Sequence, residues 1–535
     1  MADQISDFSQ YRALVVDDFA AMRSMLAEML RSYGARNIDM AANGKEACGH
    51  LSVRQYDIVL CDFNLGAGKN GQQILEEAKV RNWIGPMCAW IMITAEQTPD
   101  SVHGAVEYQP DGYLIKPVNA ALLFQRLGRI LARKSAFAEI NTKLKRNDYR
   151  GAIAMCDVKI EQEKSNASEL LRWKSQMLMS IGEIEQAREL FEKVLNERDV
   201  AWARVGLAEV RQREGDFEGS CKLLRQVIAD LPAHVKAYDL LAQGLEKLGL
   251  LEEARATLEN AARLSPNSPV RQKNMGELAL RCGDVETAEA AFRKSMAVGE
   301  NSVLKTPDSY IGLARIMGNR QQTEEASRLL NKLPQTFEDT AVHIRAKAVE
   351  GMIYQKNGQD KEAERVAADL SGMMKNAAMH ADSAASLEAA ELFFSTGRKD
   401  DAVALLSDVV RNNPEDQALM GKVSQAYSNA GLTEEGQIWM KQARDDATAQ
   451  MNEGVLLARD GKLPEAVASM RRAVAAMPSN VRVLLNCGHV MLLSLQKRND
   501  PALKREALEV LLTANSLLPG DKRCTRLLNQ LEAMD

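Results

Sequence analysis

No stretch of this sequence is apolar for long enough to cross a bilayer. The most apolar run, Met87 to Ile93, is far shorter than the roughly 20 residues a helical span needs. The opening MADQISDFSQYR does not join a basic region to an apolar one, so no export signal is expected and the chain reads as cytoplasmic. An excess of one charge is missing too. Lys and Arg number 68 against 73 Asp and Glu, a net of -5, and the first 134 residues are as balanced as the rest, with 14 basic and 15 acidic side chains. This argues against a nucleic-acid domain with a basic footprint and against a polybasic membrane anchor. The eight Cys and six His are scattered, with no C-x-x-C and no metal spacing, which points to structural thiols in a reducing compartment. Aromatics make up 5% and Pro only 14 of 535 residues, while Ala, Leu, Glu and Met are abundant, so most of the length is expected to be helical.

At about 150 residues per domain this length allows three or four domains, or one domain and a repeat array. The texture changes near residue 134. Before it, five short β-type runs alternate with helical patterns: 13–16, 38–41, 57–61, 90–93 and 112–115. That alternation predicts a doubly wound α/β domain, a five-stranded parallel sheet with crossover helices. Functional groups in such sheets gather at the carboxyl ends of the strands. Here those ends carry Asp17 and Asp18, then Asp62, Thr94 and Lys116.

The charges of that set suggest its chemistry. Three neighbouring carboxylates repel one another and call for a cation, and an oxygen-only set with few protein ligands suits Mg²⁺. Asp62 is then a nucleophile that needs no general base at neutral pH, since an ordinary Asp pKa is about 3.9. Mg²⁺ and Lys116 would neutralise charge on a transferring phosphoryl group, and the Thr94 hydroxyl would donate to one of its oxygens. The product would be an acyl phosphate on Asp62.

The segments LVVDDFAAMR, DIVLCDF, MITAE and GYLIKP, within residues 10–134, resemble the receiver domain of two-component response regulators. The resemblance implies a flavodoxin-like fold and phosphoryl transfer to Asp62 from a histidine kinase or phosphotransfer protein. It implies Mg²⁺ held by Asp17, Asp18, Asp62 and the backbone carbonyl of Asn64, with Thr94 and Tyr113 as switch residues. It further implies a cis Lys116-Pro117 peptide, and places Asn64 and Glu96 where acyl-phosphate hydrolysis is tuned. One departure stands out: in DFNLGAGKNG, Gly66 occupies the place of the family's Pro and Gly71 comes one residue late, so a longer, looser loop is expected.

Beyond residue 134, Gly182, Gly215, Gly249, Gly283, Gly358, Gly397, Gly431 and Gly461 each sit between two helical patterns, most of them close to 34 residues apart. Small side chains recur five residues after them, as at Ala187, Ala254 and Ala402, and seven before, as at Ala208, Ala242 and Ala390. A helix-turn-helix period near 34 is the tetratricopeptide (TPR) signature. The reading for 135–535 is an all-α TPR superhelix of roughly ten repeats. A bend is expected near 300–340, and a terminal capping helix over Arg523 to Met534.

Nothing catalytic stands out in the array. Arg315, His343, His380 and His489 read as isolated, and Met177/Met179 and Met373/Met374 as core ahead of binding surface. The Lys/Asn/Arg clamp of chaperone-binding TPR proteins is not assembled, since Glu277 follows Lys273 and Asn274 where Asn would be wanted. The chain therefore reads as a non-enzymatic phosphoacceptor whose repeats bind a protein partner, with a second copy of itself among the candidates. The alternative is a phosphotransfer intermediate or phosphate sink whose repeats dock a kinase. Helical spacing from Leu122 to Leu144 without Pro predicts a packed joint, either continuous or broken tightly near Ser135.

Overall fold

A computed structural model describes residues 7–95, 108, 110–135, 137–146, 148–162, 166–374, 382–498, 500–518 and 521–534. The chain divides into two compact units, Met1–Met179 with Glu183–Ser309, and Ser180–Gly182 with Tyr310–Asp535.

The first unit begins with a parallel sheet. Its strands are β1 (Arg12–Val16), β2 (Asn37–Ala41), β3 (Ile58–Asp62), β4 (Ala89–Thr94) and β5 (Gly112–Ile115), in the order β2-β1-β3-β4-β5. Among the described residues four helices accompany them: α1 (Ala20–Ser32), α2 (Gly44–Val53), α3 (Gly71–Val80) and α4 (Ala120–Ser135). Because strand side chains alternate, each strand feeds two cores. Ala13, Val15, Ile58, Leu60, Ile91, Ile93 and Leu114 pack with Leu26, Leu30, Leu123 and Leu127 on one face. Leu14, Val16, Val59, Cys61, Trp90 and Met92 pack with Ala47, Leu51, Ile74 and Leu75 on the other. Burial on both sides of β1, β3 and β4 explains why these runs read as continuously apolar, and it leaves polar groups room only at their ends.

Helix α4 stops at Ser135 and the next helix starts at Ala138. Phe137, 1% exposed, fills this break by stacking on Trp173, with ring centroids 5.1 Å apart. Lys134 reaches back to Asp111, 2.9 Å away, and to the Cys88 carbonyl. The joint is thus packed and charge-paired.

The described residues then form eleven helix pairs, counting one long helix twice, from Ala138–Lys145 with Tyr149–Gln162 to Val481–Lys497 with Pro501–Leu517. All eight turn glycines have φ between 71° and 85°. At Gly215 the amide donates to Gln212 O and the next amide to Arg211 O, and the turns at Gly249, Gly283, Gly358, Gly397, Gly431 and Gly461 repeat this pattern. These are left-handed caps that satisfy orphan helix carbonyls. Where two helices cross, side chains must be small. Ala187, Ala254, Ala288 and Ala402 are fully buried, and a Cβ on Gly276 would lie 2.6 Å from the Phe292 ring.

Two features depart from the regular pattern. The interval between Gly283 and Gly358 holds a turn whose left-handed residue is Gln321, φ 63°, with Gln321 N bonded to Gly318 O and Gln322 N to Met317 O. A glycine search misses this turn because the residue is not glycine. Between Gly431 and Gly461 a single helix, Thr433–Arg459, replaces two helices and their loop. Its middle contains neither Pro nor Gly, whereas Pro232, Pro266, Pro414 and Pro478 each follow a helix end by two residues elsewhere. A terminal helix, Lys522–Glu532, buries Cys524, Leu527 and Leu531 against Leu511 and Ala514 and so closes the last pair.

Gln321 is exposed and strained by its left-handed backbone. Gln321→Gly should therefore stabilise the second unit by about 0.5–1 kcal/mol once glycine's greater freedom in the unfolded chain is offset. Urea unfolding followed by circular dichroism reads this as a raised midpoint, and an unchanged or lowered midpoint would contradict the turn assignment.

Candidate functional site

The ends of β1, β3, β4 and β5 converge because neighbouring strands are in parallel register, with Val16 opposite Cys61, Asp62 opposite Ile93 and Thr94 opposite Ile115. Asp17 is fully buried, Asp62 is 5% exposed and Asp18 faces solvent. Carboxylate oxygens of all three lie within 4.8 Å of one another. Lys116 lies between two of them, with Nζ 3.0 Å from Asp17 and 2.9 Å from Asp62. Thr94 is buried beside them, and its carbonyl accepts the Lys116 amide at 2.8 Å. The Lys116-Pro117 peptide is cis.

The electrostatics follow from this arrangement. Burial pushes the Asp62 carboxyl above its ordinary value, against the pull of the Lys116 ammonium, and the Asp17 charge adds to the rise. Burial also works against the charge on Lys116, but its bonds to Asp62 and Asp17 outweigh that and raise its pKa. Both partners shift upward because burial weighs more heavily on the carboxyl than on the ammonium. Tyr113, half-buried against the β3–β4 face, is pushed up to about 12 by burial. Three close carboxyl groups with a solvent-facing member form a hard oxygen donor set that fits a Mg²⁺ ion.

Two supporting roles escaped the sequence reading, although both residues stand in the segments quoted there. Arg23 donates to the carbonyls of Asp17 (2.6 Å) and Asp18 (3.0 Å), while Asp17 Oδ1 accepts the Phe19 amide. Arg23 follows the acidic pair on the first turn of α1, and that spacing was the available signal. The other is Gly71, whose role is steric. Its amide bonds to Phe63 O, and a Cβ there would lie 2.2 Å from the Asp62 carbonyl oxygen.

The loop after Asp62 is longer than usual but is held rather than loose. Gly66 and Gly68 adopt positive φ. Asn70 then caps α3 through a capping box with Gln73, and Lys69 pairs with Glu77. Asn64 is exposed in this loop, and Glu96 lies outside the described residues, as does His380.

In the repeats, Arg315 is not isolated, since it shares Glu388 with Arg345 at 2.9 and 3.1 Å. His343 Nε2 bonds to Phe337 O and Lys273 pairs with Glu277. His489 is largely exposed, and partial desolvation of its ring, with Arg523 and Arg526 nearby, holds its pKa below the ordinary value. Met177 and Met374 are buried, and Met179 and Met373 pack partly buried on core clusters.

Gly71→Ala forces the β3–α3 connection away from Asp62. It should lower stability by about 1–3 kcal/mol, as overpacking does. Differential scanning calorimetry of the full chain tests this, and an unshifted transition would show that the close approach is unimportant.

A family model described as the response regulator receiver domain matches residues 13–128. Models described as tetratricopeptide repeat match 205–269 and 440–481 and 384–416. The chain is 31% identical over 122 residues to chemotaxis protein CheY-3 of Vibrio cholerae, covering 23% of this chain and 92% of that protein. It is 29% identical over 122 residues to chemotaxis protein CheY of Pseudomonas aeruginosa, covering 23% of this chain and 97% of the relative. A solved tetratricopeptide repeat protein from Parabacteroides merdae aligns with 48% of this chain and 98% of its own at 14% identity and a TM-score of 0.39. With its strand-end acidic cluster and its repeats, this chain belongs to the response regulators, and joins a receiver domain to TPR repeats.

Proposed function

We propose that the chain is a phosphorylation-controlled response regulator that accepts a phosphoryl group on Asp62 and signals through protein binding by its TPR array. The observation that supports this most is the Lys116 ammonium bridging buried Asp17 and Asp62 at the strand ends. The receiver is taken as residues 10–134 and the repeats as 135–535, with the cytoplasm as the place of action. Among the described residues no helix is long and apolar enough to cross a membrane.

The donor is the phosphohistidine of a kinase or phosphotransfer protein. An Asp62 carboxylate oxygen attacks phosphorus as the P–N bond breaks. The bonding pair stays on the imidazole nitrogen, which takes up a proton from solvent. Asp17, Asp18, Asp62 and the Asn64 carbonyl would hold Mg²⁺, which when bound supplies charge neutralisation for the transferring group. Lys116 already sits against Asp62 Oδ2, so its charge can follow the phosphoryl group once Asp62 carries the acyl phosphate. The Thr94 hydroxyl would donate to a phosphoryl oxygen, and Tyr113 would fill the space behind it. Asn64 and Glu96 are assigned to tuning hydrolysis. The described residues of the array form paired helices of the tetratricopeptide type, which supports a binding output.

Incubated with acetyl phosphate and Mg²⁺, the full chain should gain one acid-stable, base-labile phosphoryl group. Chelation with EDTA or Asp62→Asn should abolish it. Undiminished labelling of Asp62→Asn would reject the assignment. Lys116→Ala should still fold and take label but lose the change in bound partners that phosphorylation brings in a pull-down. If wild-type partners do not change with phosphorylation while kinase phosphate flux does, the protein is a phosphate sink.

A further inference from the structure

Within the first unit, the loop after Asp62 is held from outside by the repeat array. The corner that follows the helix Val285–Gly299 lies against α3 and the β3–α3 loop. Ser302 Oγ donates to Glu76 Oε1 at 2.7 Å, with both residues buried (8% and 7% exposed). Asn301 Nδ2 donates to the Gly68 carbonyl at 3.3 Å, and Gln73 Nε2 donates to the Val298 carbonyl at 3.4 Å.

Gln73 links this contact to the phosphorylation site. Its Oε1 accepts the Asn70 amide in the capping box that starts α3, while its Nε2 reaches the repeats. One residue after Asn70 comes Gly71, whose backbone is pressed against the Asp62 carbonyl. The chain of contacts from Ser302 and Val298 through Glu76, Gln73, Asn70 and Gly71 to Asp62 is thus continuous. Gly68, whose carbonyl Asn301 takes, lies in the part of the loop that is longer than the family pattern.

The contact is also separable. The two sides meet around a polar cavity of about 310 Å³ bordered by Phe63, Gly68, Gln73, Ser268, Asn301 and Ser302. Direct hydrogen bonds around a polar void contribute far less than an apolar seam of similar extent, so the corner can leave without unfolding either side.

We infer that Asn301 and Ser302 are positioning residues for the Asp62 loop, and that the docked repeat corner restrains phosphorylation. This rests on Asp62 being the phosphoacceptor. The docked corner holds the loop in the position described, and coupling requires that a phosphoryl group on Asp62 favour a different position of that loop. In free energy the coupling is reciprocal: release of the corner favours the phosphorylated loop, and phosphorylation weakens the corner's hold; a loop freed before reaction is also expected to reach the reactive geometry sooner. The freed corner then becomes available to a partner only in the phosphorylated chain.

The test compares labelling rates of the full chain with acetyl phosphate and Mg²⁺ for wild type, Asn301→Ala, Ser302→Ala and Ser302→Thr, which keeps the hydroxyl. Asn301 is exposed, so its variant should fold normally. Ser302→Ala and Asn301→Ala should each label about fivefold faster, with Ser302→Thr returning to the wild-type rate, and the exposed Asn301→Ala should do so with its melting temperature unchanged. Equal rates in all four, or acceleration that Ser302→Thr fails to reverse, would overturn the inference while leaving Asp62 as acceptor. Absence of label in every chain, wild type included, would overturn both.

Discussion

The site depends on the repulsion between carboxylates brought together at strand ends. Asp17 is fully buried and Asp62 nearly so, and two such charges a few ångströms apart in a poorly solvated pocket require a cation. Lys116 supplies one from the end of β5, and its placement depends on β4 and β5 pairing with Thr94 opposite Ile115. The sheet order follows from the same need, because β1, β3, β4 and β5 must lie side by side in that register for the four groups to meet. The strand interiors can then be wholly apolar, with polar chemistry confined to their ends.

A second constraint governs the array. Each helix pair buries its facing sides by close approach, which admits only Ala, Ser or Gly at the crossing, and among the described residues nine of the eleven pairs turn through a left-handed residue. The two constraints meet in the first unit. The packed joint at Phe137 and Lys134 and the corner at Asn301 and Ser302 both tie repeats to the receiver sheet. A shift in the Asp62 loop therefore has a physical route into the repeats that a flexible tether would lack.

Much of this was legible in the sequence because it rests on local chemistry. Strands buried on both faces read as short apolar runs, and the acidic and basic residues closing them stand out against that background. Left-handed turns are easily occupied by glycine, so eight of them betrayed the period. Gln321 did not, since it adopts the same backbone without the glycine that marks it, and the long helix Thr433–Arg459 was hidden because a missing loop leaves no signal except a shortened interval. Arg315 read as isolated because its partner Glu388 lies 73 residues away. The corner was least legible of all. Ser302 and Glu76 are 226 positions apart, neither belongs to a periodic pattern, and only the folded first unit brings them together. The loop after Asp62 read as looser for the same reason, since its restraints come from a capping box and from distant residues.

The central claim is that a buried carboxylate held by Lys116 becomes an acyl phosphate. Borohydride reduces an acyl phosphate on Asp to homoserine, and mass spectrometry then locates the reduced residue. After treatment with acetyl phosphate and Mg²⁺, the account requires homoserine at position 62 and at no other Asp. Reduction at Asp17 or Asp18, or an unreduced Asp62 in a chain that carries label, would contradict it.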